Sequence, residues 1–202
     1  MNVPPCLADR QPAPTPRADA GWTRAALRSC VVIGAMLAFA SALHAGVQAP
    51  PLPVAVTRLA PALEPRGGGE MTYFGLSIYD GYYWSPARGW ALDQPFVLDL
   101  HYHRKLDGIA IADRSVDEIG RMGHGSGEQR ERWRDAMRRI FPDVGKGDRL
   151  TGLHLPDGTA SFFHNGRLIG DIAEPGFAEA FFGIWLDPRT SRADFRRKLL
   201  GE

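Results

Sequence analysis

The pair His101-x-His103 is the first place in the sequence where residue type and spacing could do chemistry. On a strand the two imidazoles share one face, about 6.8 Å apart from the rise per residue. Such a pair can serve as general bases or as part of a metal shell, which normally takes a third or fourth ligand. His124, His154 and His164 follow at spacings that form no metal motif, so solvent-exposed strand histidines are expected, with no metal and no cofactor. Arg130, Arg132, Arg134, Arg138 and Arg139 crowd one segment. Glu128, Glu131 and Asp135 interleave with them, which favours a balanced solvated face over an anion or headgroup patch. Gly67-Gly68-Gly69 precedes a strand and lacks a following Lys-Ser/Thr, so it is no phosphate loop. Ser126 and Ser161 lack the G-x-S-x-G context of a nucleophile elbow. All five tyrosines lie at or before Tyr102. Sheet packing is their plainer role; lining an apolar cavity between sheet and helices is the sharper one.

The elements that must position these residues can be read from periodicity. Glu70 to Trp84 is aromatic and β-branched and reads as one strand, interrupted at Gly75 and Gly81. Pro95 to Arg104 reads as a second. There Phe96, Leu98, Leu100 and Tyr102 should face the core, and Val97, Asp99, His101 and His103 solvent. Ile109 to Met122 has helical period. Ser126 and Gln129 form a capping box before a helix whose inner stripe is Trp133, Ala136, Met137, Ile140 and Phe141. Strands return at Arg149–Leu155, Thr159–His164 and Arg167–Ile172, joined at Pro156-Asp157-Gly158 and Asn165-Gly166. A helix with Phe177, Phe181, Ile184 and Trp185 inward follows, then a short one that Ser191 and Asp194 should cap. The layout β-β-α-α-β-β-β-α-α, with hairpin-linked strands and amphipathic helices, is α+β.

The chain has 202 residues, with 24 Lys+Arg against 23 Asp+Glu, and this near-neutral balance excludes a general nucleic-acid binder. Residues 1–45 read as an address. Arg10, Arg17, Arg24 and Arg28 precede the uncharged run VVIGAMLAFASAL (31–43), and small residues follow. That order is the order of a secretory signal peptide, cut near Ala42 or Ala45. The alternative is a retained membrane anchor, which would be the chain's one link to a membrane. Cys6 and Cys30 both leave with the leader, so the exported part would hold no thiol, as suits the periplasm. The leader also removes those four Arg with Asp9 and Asp19, leaving 20 basic and 21 acidic side chains. Residues 46–66 hold five Pro and read as an extended segment, with Val54–Val56 an edge strand. The compact domain is placed at 67–202.

Four stretches, GGGEMTYFGLSIYDGYYW, LHYHRKLDGIAIADRSVDEI, GDRLTGLHLPDGTASFFHNGRLIGDI and FAEAFFGIWLDPRTSRADFRRKLLG, resemble the bacterial chalcone isomerase-like proteins. The resemblance implies an open-faced β-sandwich, a curved antiparallel sheet with a helical layer on one face. Catalytic members close a flavonoid ring using an Arg directly after a Gly-Ala-Gly-Glu stretch. Here Gly67-Gly68-Gly69-Glu70 is followed by Met71, whose thioether supplies neither charge nor a strong hydrogen bond. The family's Tyr follows Leu-Ser-Gly by three residues; after Leu106-Asp107-Gly108 that position is Ile111. The resemblance therefore implies a non-catalytic protein holding a small apolar or lipid-like ligand. Met71, Tyr73, Tyr102 and Trp133 are the candidate cavity wall, and no catalytic residue is assigned. Fatty-acid-binding relatives share the fold but often keep the Arg, which can hold a carboxylate. Two other readings stay open: an isomerase with relocated groups, using His101 or His103 as base, and an envelope protein binding a partner through the arginine helix.

Overall fold

The computed structural model describes residues 48–202, so the leader reading lies outside the described residues. The first element, α1 (Val54–Leu59), corrects the edge strand expected there and the extended reading of 46–66. Pro53 sits just ahead of the first turn, and its carbonyl accepts the amides of Val56 at 2.9 Å and Thr57 at 3.1 Å. Propensity for strand yields because the turn buries Val56 and Ala60 against Val97, Leu153 and Phe163.

The long strand expected over Glu70–Trp84 is instead a hairpin of β1 (Glu64–Tyr73) and β2 (Leu76–Ser85). Its two turn residues, Phe74 and Gly75, both have positive φ, 48° and 73°, the type I′ geometry that matches strand twist. The chain continues with β3 (Phe96–Tyr102), α2 (Gly108–Arg121) and α3 (Gly127–Ile140). Then come β4 (Arg149–His154), β5 (Ala160–His164), β6 (Arg167–Ile172), α4 (Phe177–Leu186) and α5 (Ala193–Leu200). The six strands pair in chain order, every neighbour antiparallel. The result is the expected α+β fold: one open, curved antiparallel sheet with helices packed on it.

The inner face of the sheet carries Phe96, Leu98, Leu100, Tyr102, Leu150 and Phe162. The aromatic rings of α4 meet it edge-on, Phe182 on Phe96 at 5.0 Å and Phe181 on Phe162 at 5.1 Å between centroids. Phe195 and Leu199 of α5 complete this core. The capping box of α3 forms as read: Gln129 N donates to Ser126 Oγ at 3.1 Å, and Ser126 N to Gln129 Oε1 at 2.9 Å. The capping box read at Ser191 and Asp194 does not form. Arg192 occupies the N-cap position of α5, and Ser191 Oγ donates instead to Glu118 Oε2 at 3.2 Å. A buried carboxylate gains more from that donor than an exposed helix start does.

The outer face is not bare, which corrects the solvent setting expected for Val97 and Asp99. Both are fully buried beneath α1 and the segment leading into it. Arg149 grips Asp99 with two hydrogen bonds of 2.7 Å, Thr151 Oγ1 donates a third at 2.7 Å, and His101 Nε2 lies 2.8 Å from Asp99 Oδ2. Arg149 Nη1 also donates to the Pro51 carbonyl at 2.9 Å, tying the incoming chain to the sheet. Burial pushes the Asp99 carboxyl up, but the hydrogen bonds from His101 and Arg149 outweigh it and hold it below the ordinary carboxylate value. A group depressed in the folded state contributes stability that is full above the unfolded value, about pH 4, and is lost as pH falls through the folded value. Urea titrations between pH 7 and pH 2 should therefore show an acid-labile increment that Asp99→Asn removes. Asp99→Ala should cost about 3–5 kcal/mol at pH 7, because it leaves Arg149 half-buried without its partner. A flat pH response in the wild type would contradict this assignment.

Candidate functional site

Strands β1–β4, helices α2 and α4 and the turn leading into α5 leave a cavity of about 320 Å³ between sheet and helices. Its floor is Met71, Tyr79, Leu100 and Tyr102; its helical wall includes Ile111, Ser115, Phe181 and Trp185. Met71 and Ile111 thus open onto the same space, although 40 residues separate them in the chain. Tyr73 and Tyr102 line it as read. Trp133 does not. It is buried on α3, edge-on to Phe177 at 6.1 Å, in a slot where a Cβ on Gly125 would stand 2.7 Å from its ring. Its helical stripe marks it as core, but the stripe does not say which layer it meets.

His101 and His103 alternate with Tyr102 and so stand on the opposite face from the cavity. His101 is engaged by Asp99, and His103 Nε2 lies 3.0 Å from Asp80 Oδ2. Neither can act as a base inside the cavity, which removes the proposed relocation of catalysis to them. Among the described residues no group of three or more His, Cys, Asp or Glu is placed to hold a metal ion. The arginines of α3 are largely balanced, as read: Arg132 pairs with Glu128 at 3.2 Å, Arg134 with Glu131, and Arg138 with Asp113 at 2.7 Å, while Arg130 donates to the Gly125 carbonyl at 2.6 Å.

The cavity is not stripped of polar groups, which corrects the picture drawn from positions 71 and 111. At its mouth the guanidinium carbons of Arg114 and Arg192 lie 5.9 and 5.3 Å from the Tyr73 ring centroid, within cation–π range. Arg114 also pairs with Glu118, which accepts from Arg121 at 2.8 Å. No described acid lies within ion-pair distance of Arg192. Inside, Trp185 Nε1 donates to Tyr79 Oη at 2.8 Å, so the Tyr79 proton is free to donate onward. The Tyr102 hydroxyl has no hydrogen-bond partner among the described residues, and its ring meets that of Tyr79 edge-on at 5.6 Å. No motif marks Arg114 or Arg192 as site residues; the chain brings them to Tyr73 from helix α2 and from the residue just ahead of α5.

Burial pushes the Tyr79 phenol up to about 12, against the Trp185 hydrogen bond and the nearby charge of Arg192. Burial, with Tyr79 beside it, pushes Tyr102 higher still. Both stay protonated at neutral pH and present donors, not bases. Burial likewise pushes Tyr83 up to about 12 and raises Tyr82. An alkaline titration followed by ultraviolet absorbance should therefore show far less than five phenolates by about pH 11, against an ordinary value near 10. Tyr102→Phe should leave that low-pH amplitude unchanged. Five tyrosines titrating together near pH 10 would refute the buried-donor reading.

Residues 114–201 match the family described as chalcone isomerase-like. The match begins at Arg114, beyond Met71 and Ile111. An uncharacterized protein of Haemophilus influenzae is 26% identical over 140 residues, covering 69% of this chain and 68% of its own. The crystal structure of a fatty-acid binding protein of Arabidopsis thaliana superposes with a TM-score of 0.56 at 10% identity, covering 69% of this chain and 87% of that one; at this identity the likeness is one of fold. Over residues 114–201 the chain is thus similar to the chalcone isomerase-like family, in line with the sequence resemblance.

Proposed function

We propose that this domain binds a small apolar or lipid-like ligand in the cavity between sheet and helices and does not turn it over. The observation that carries this reading is an apolar space of about 320 Å³ lined by Tyr102, whose hydroxyl has no hydrogen-bond partner among the described residues. That volume falls at the small end of ligand sites, and the mix of apolar wall with a few convergent polar groups is typical of them. The fatty-acid binding neighbour supports a ligand of tail-and-head chemistry. The Arg expected to hold a carboxylate is Met71 here, yet Arg192 at the mouth and the phenols of Tyr79 and Tyr102 offer a charge and two donors to a polar head.

Decanoate and decanol separate the contributions. Denaturing extraction and mass spectrometry of the purified protein should recover a carried amphiphile, and decanoate should displace an apolar fluorescent probe. Arg192→Ala should weaken decanoate by about ten- to a hundredfold, the worth of a hydrogen bond to a charged group, and change decanol little. Ile111→Trp should block both by filling the space. Uptake of neither ligand, with empty extracts, would sink the proposal.

A second reading is favoured by the same guanidinium beside the phenols: an oxyanion forming on an enone substrate would find donors there. Turnover of a chalcone-type enone, lost in Tyr102→Phe, would replace the binding reading with that one.

We also read residues 1–45 as an export leader and the mature protein as periplasmic, supported by the order of basic, apolar and small segments. Amino-terminal sequencing of the protein from an exporting host should begin after Ala42 or Ala45; an intact Met1 would oppose cleavage.

A further inference from the structure

At the tip of the β1–β2 hairpin, Phe74 and Leu76 lie outside the core. Phe74 is 88% exposed, flanked by Tyr73 at 42% and Leu76 at 53%. Its backbone sits at φ 48°, a conformation that ordinary side chains avoid and that Asn, Asp or Gly usually fill in such a turn. The tip therefore spends both strain and apolar exposure on a residue whose ring contact is Tyr73, at 4.5 Å between centroids. Exposed apolar clusters of this kind mark contact surfaces.

What surrounds the tip narrows the contact. The Tyr79–Tyr102 pairing and the His103 amide on the Ile78 carbonyl, at 2.9 Å, bring the chain beside the hairpin end of β2, and Arg104 and Lys105 follow directly in the β3–α2 turn. Arg114 and Arg192 stack on Tyr73 itself. No described acid lies within ion-pair distance of Arg104, Lys105 or Arg192. Of the nearby acids, Asp80 faces His103, Asp107 caps α2 through the Ala110 amide and Glu118 takes Arg114 and Arg121, while Glu70 stands opposite Asp80 farther down the hairpin. Ile109, 54% exposed, stands between Asp107 and Ala110, which line the cavity.

We propose that the β1–β2 hairpin tip and the adjoining β3–α2 turn dock on a lipid surface bearing anionic headgroups, with the cavity mouth turned toward it. Apolar rings would enter the acyl boundary while the cations meet the headgroups. A projecting four-residue tip suits a fluid interface. A stable protein partner usually covers about 800 Å² per side, which a convex tip alone does not offer. The inference stands apart from the cavity's occupancy, since the tip docks whether or not the cavity is filled.

The full chain is tested on vesicles of phosphatidylcholine with and without phosphatidylglycerol. Because residues 31–43 are themselves apolar, the readout is the difference made at the tip. Phe74→Asn with Leu76→Ser should lower vesicle binding about tenfold. Asn suits the positive φ, so folding is preserved. Arg104→Ser with Lys105→Ser should abolish the advantage of the anionic vesicles, and salt should weaken wild-type binding. Amide exchange at 73–76 and 104–109 should slow when vesicles are added. Decanoate affinity should be unchanged in Phe74→Asn/Leu76→Ser, because neither residue lines the cavity, so this test and the ligand test fail separately. Equal vesicle binding by wild type and the tip variant overturns the proposal, as does protection of 73–76 by a protein partner but not by lipid.

Discussion

The helices come closest to this sheet where the sheet carries no side chain. A Cβ on Gly67 would stand 2.1 Å from the Lys198 carbonyl oxygen and 2.5 Å from that of Leu199, so the C-terminal turn of α5 lies directly on β1. A Cβ on Gly81 would meet Phe195 at 2.8 Å, and one on Gly152 would meet Phe182 at 2.9 Å. Those three contacts seat α5 on β1 and β2 and α4 on β4. At Gly67 the neighbours are backbone carbonyls, which do not yield as a flexible side chain does. The cavity is what remains between them, where Met71, Leu100 and Tyr102 rise from the floor and hold the helices off. The triple glycine that suggests a phosphate loop in isolation is thus the landing of the last helix.

The same spacing decides the chemistry. The two positions that would bring a guanidinium and a phenol into the site by family pattern hold Met71 and Ile111, and both line the cavity. Charge and phenol nonetheless return by other routes: the charge from Arg114 and Arg192 at the rim, the phenols from Tyr79 and Tyr102 in the floor. Charge at the rim and neutral donors inside favour holding a molecule with a polar end over transforming its middle.

The long periodic segments were legible in the sequence. The strand alternation of Phe96–Tyr102, the Asn165-Gly166 turn and the capping box of α3 all rest on local signals strong enough to survive packing. The β1–β2 turn was not, because Phe74-Gly75 lacks the polar first residue that announces such a turn. Helix α1 was missed because Val54-Ala55-Val56 favours strand locally, and only burial against Val97 and Phe163 reverses that. Asp99 looked solvent-facing because alternation says which side a residue takes, not whether that side is covered. At the cavity, Met71 is reached through the family's motif position, while Tyr73 and Tyr102 lie on strands, and all three line the space. Arg114 and Arg192 were not legible, because long side chains from α2 and from the residue ahead of α5 converge on one ring, and no spacing encodes that convergence.

The burial that keeps the protons on Tyr79 and Tyr102 also bears on unloading. With both phenols raised well above the ordinary tyrosine value, a shift in surrounding acidity would leave their hold on any proposed guest unchanged. Release of such a guest through these two groups would have to be mechanical. Either the last helix lifts from its glycine seat, or a competing apolar phase draws the guest out past the arginine-flanked ring of Tyr73.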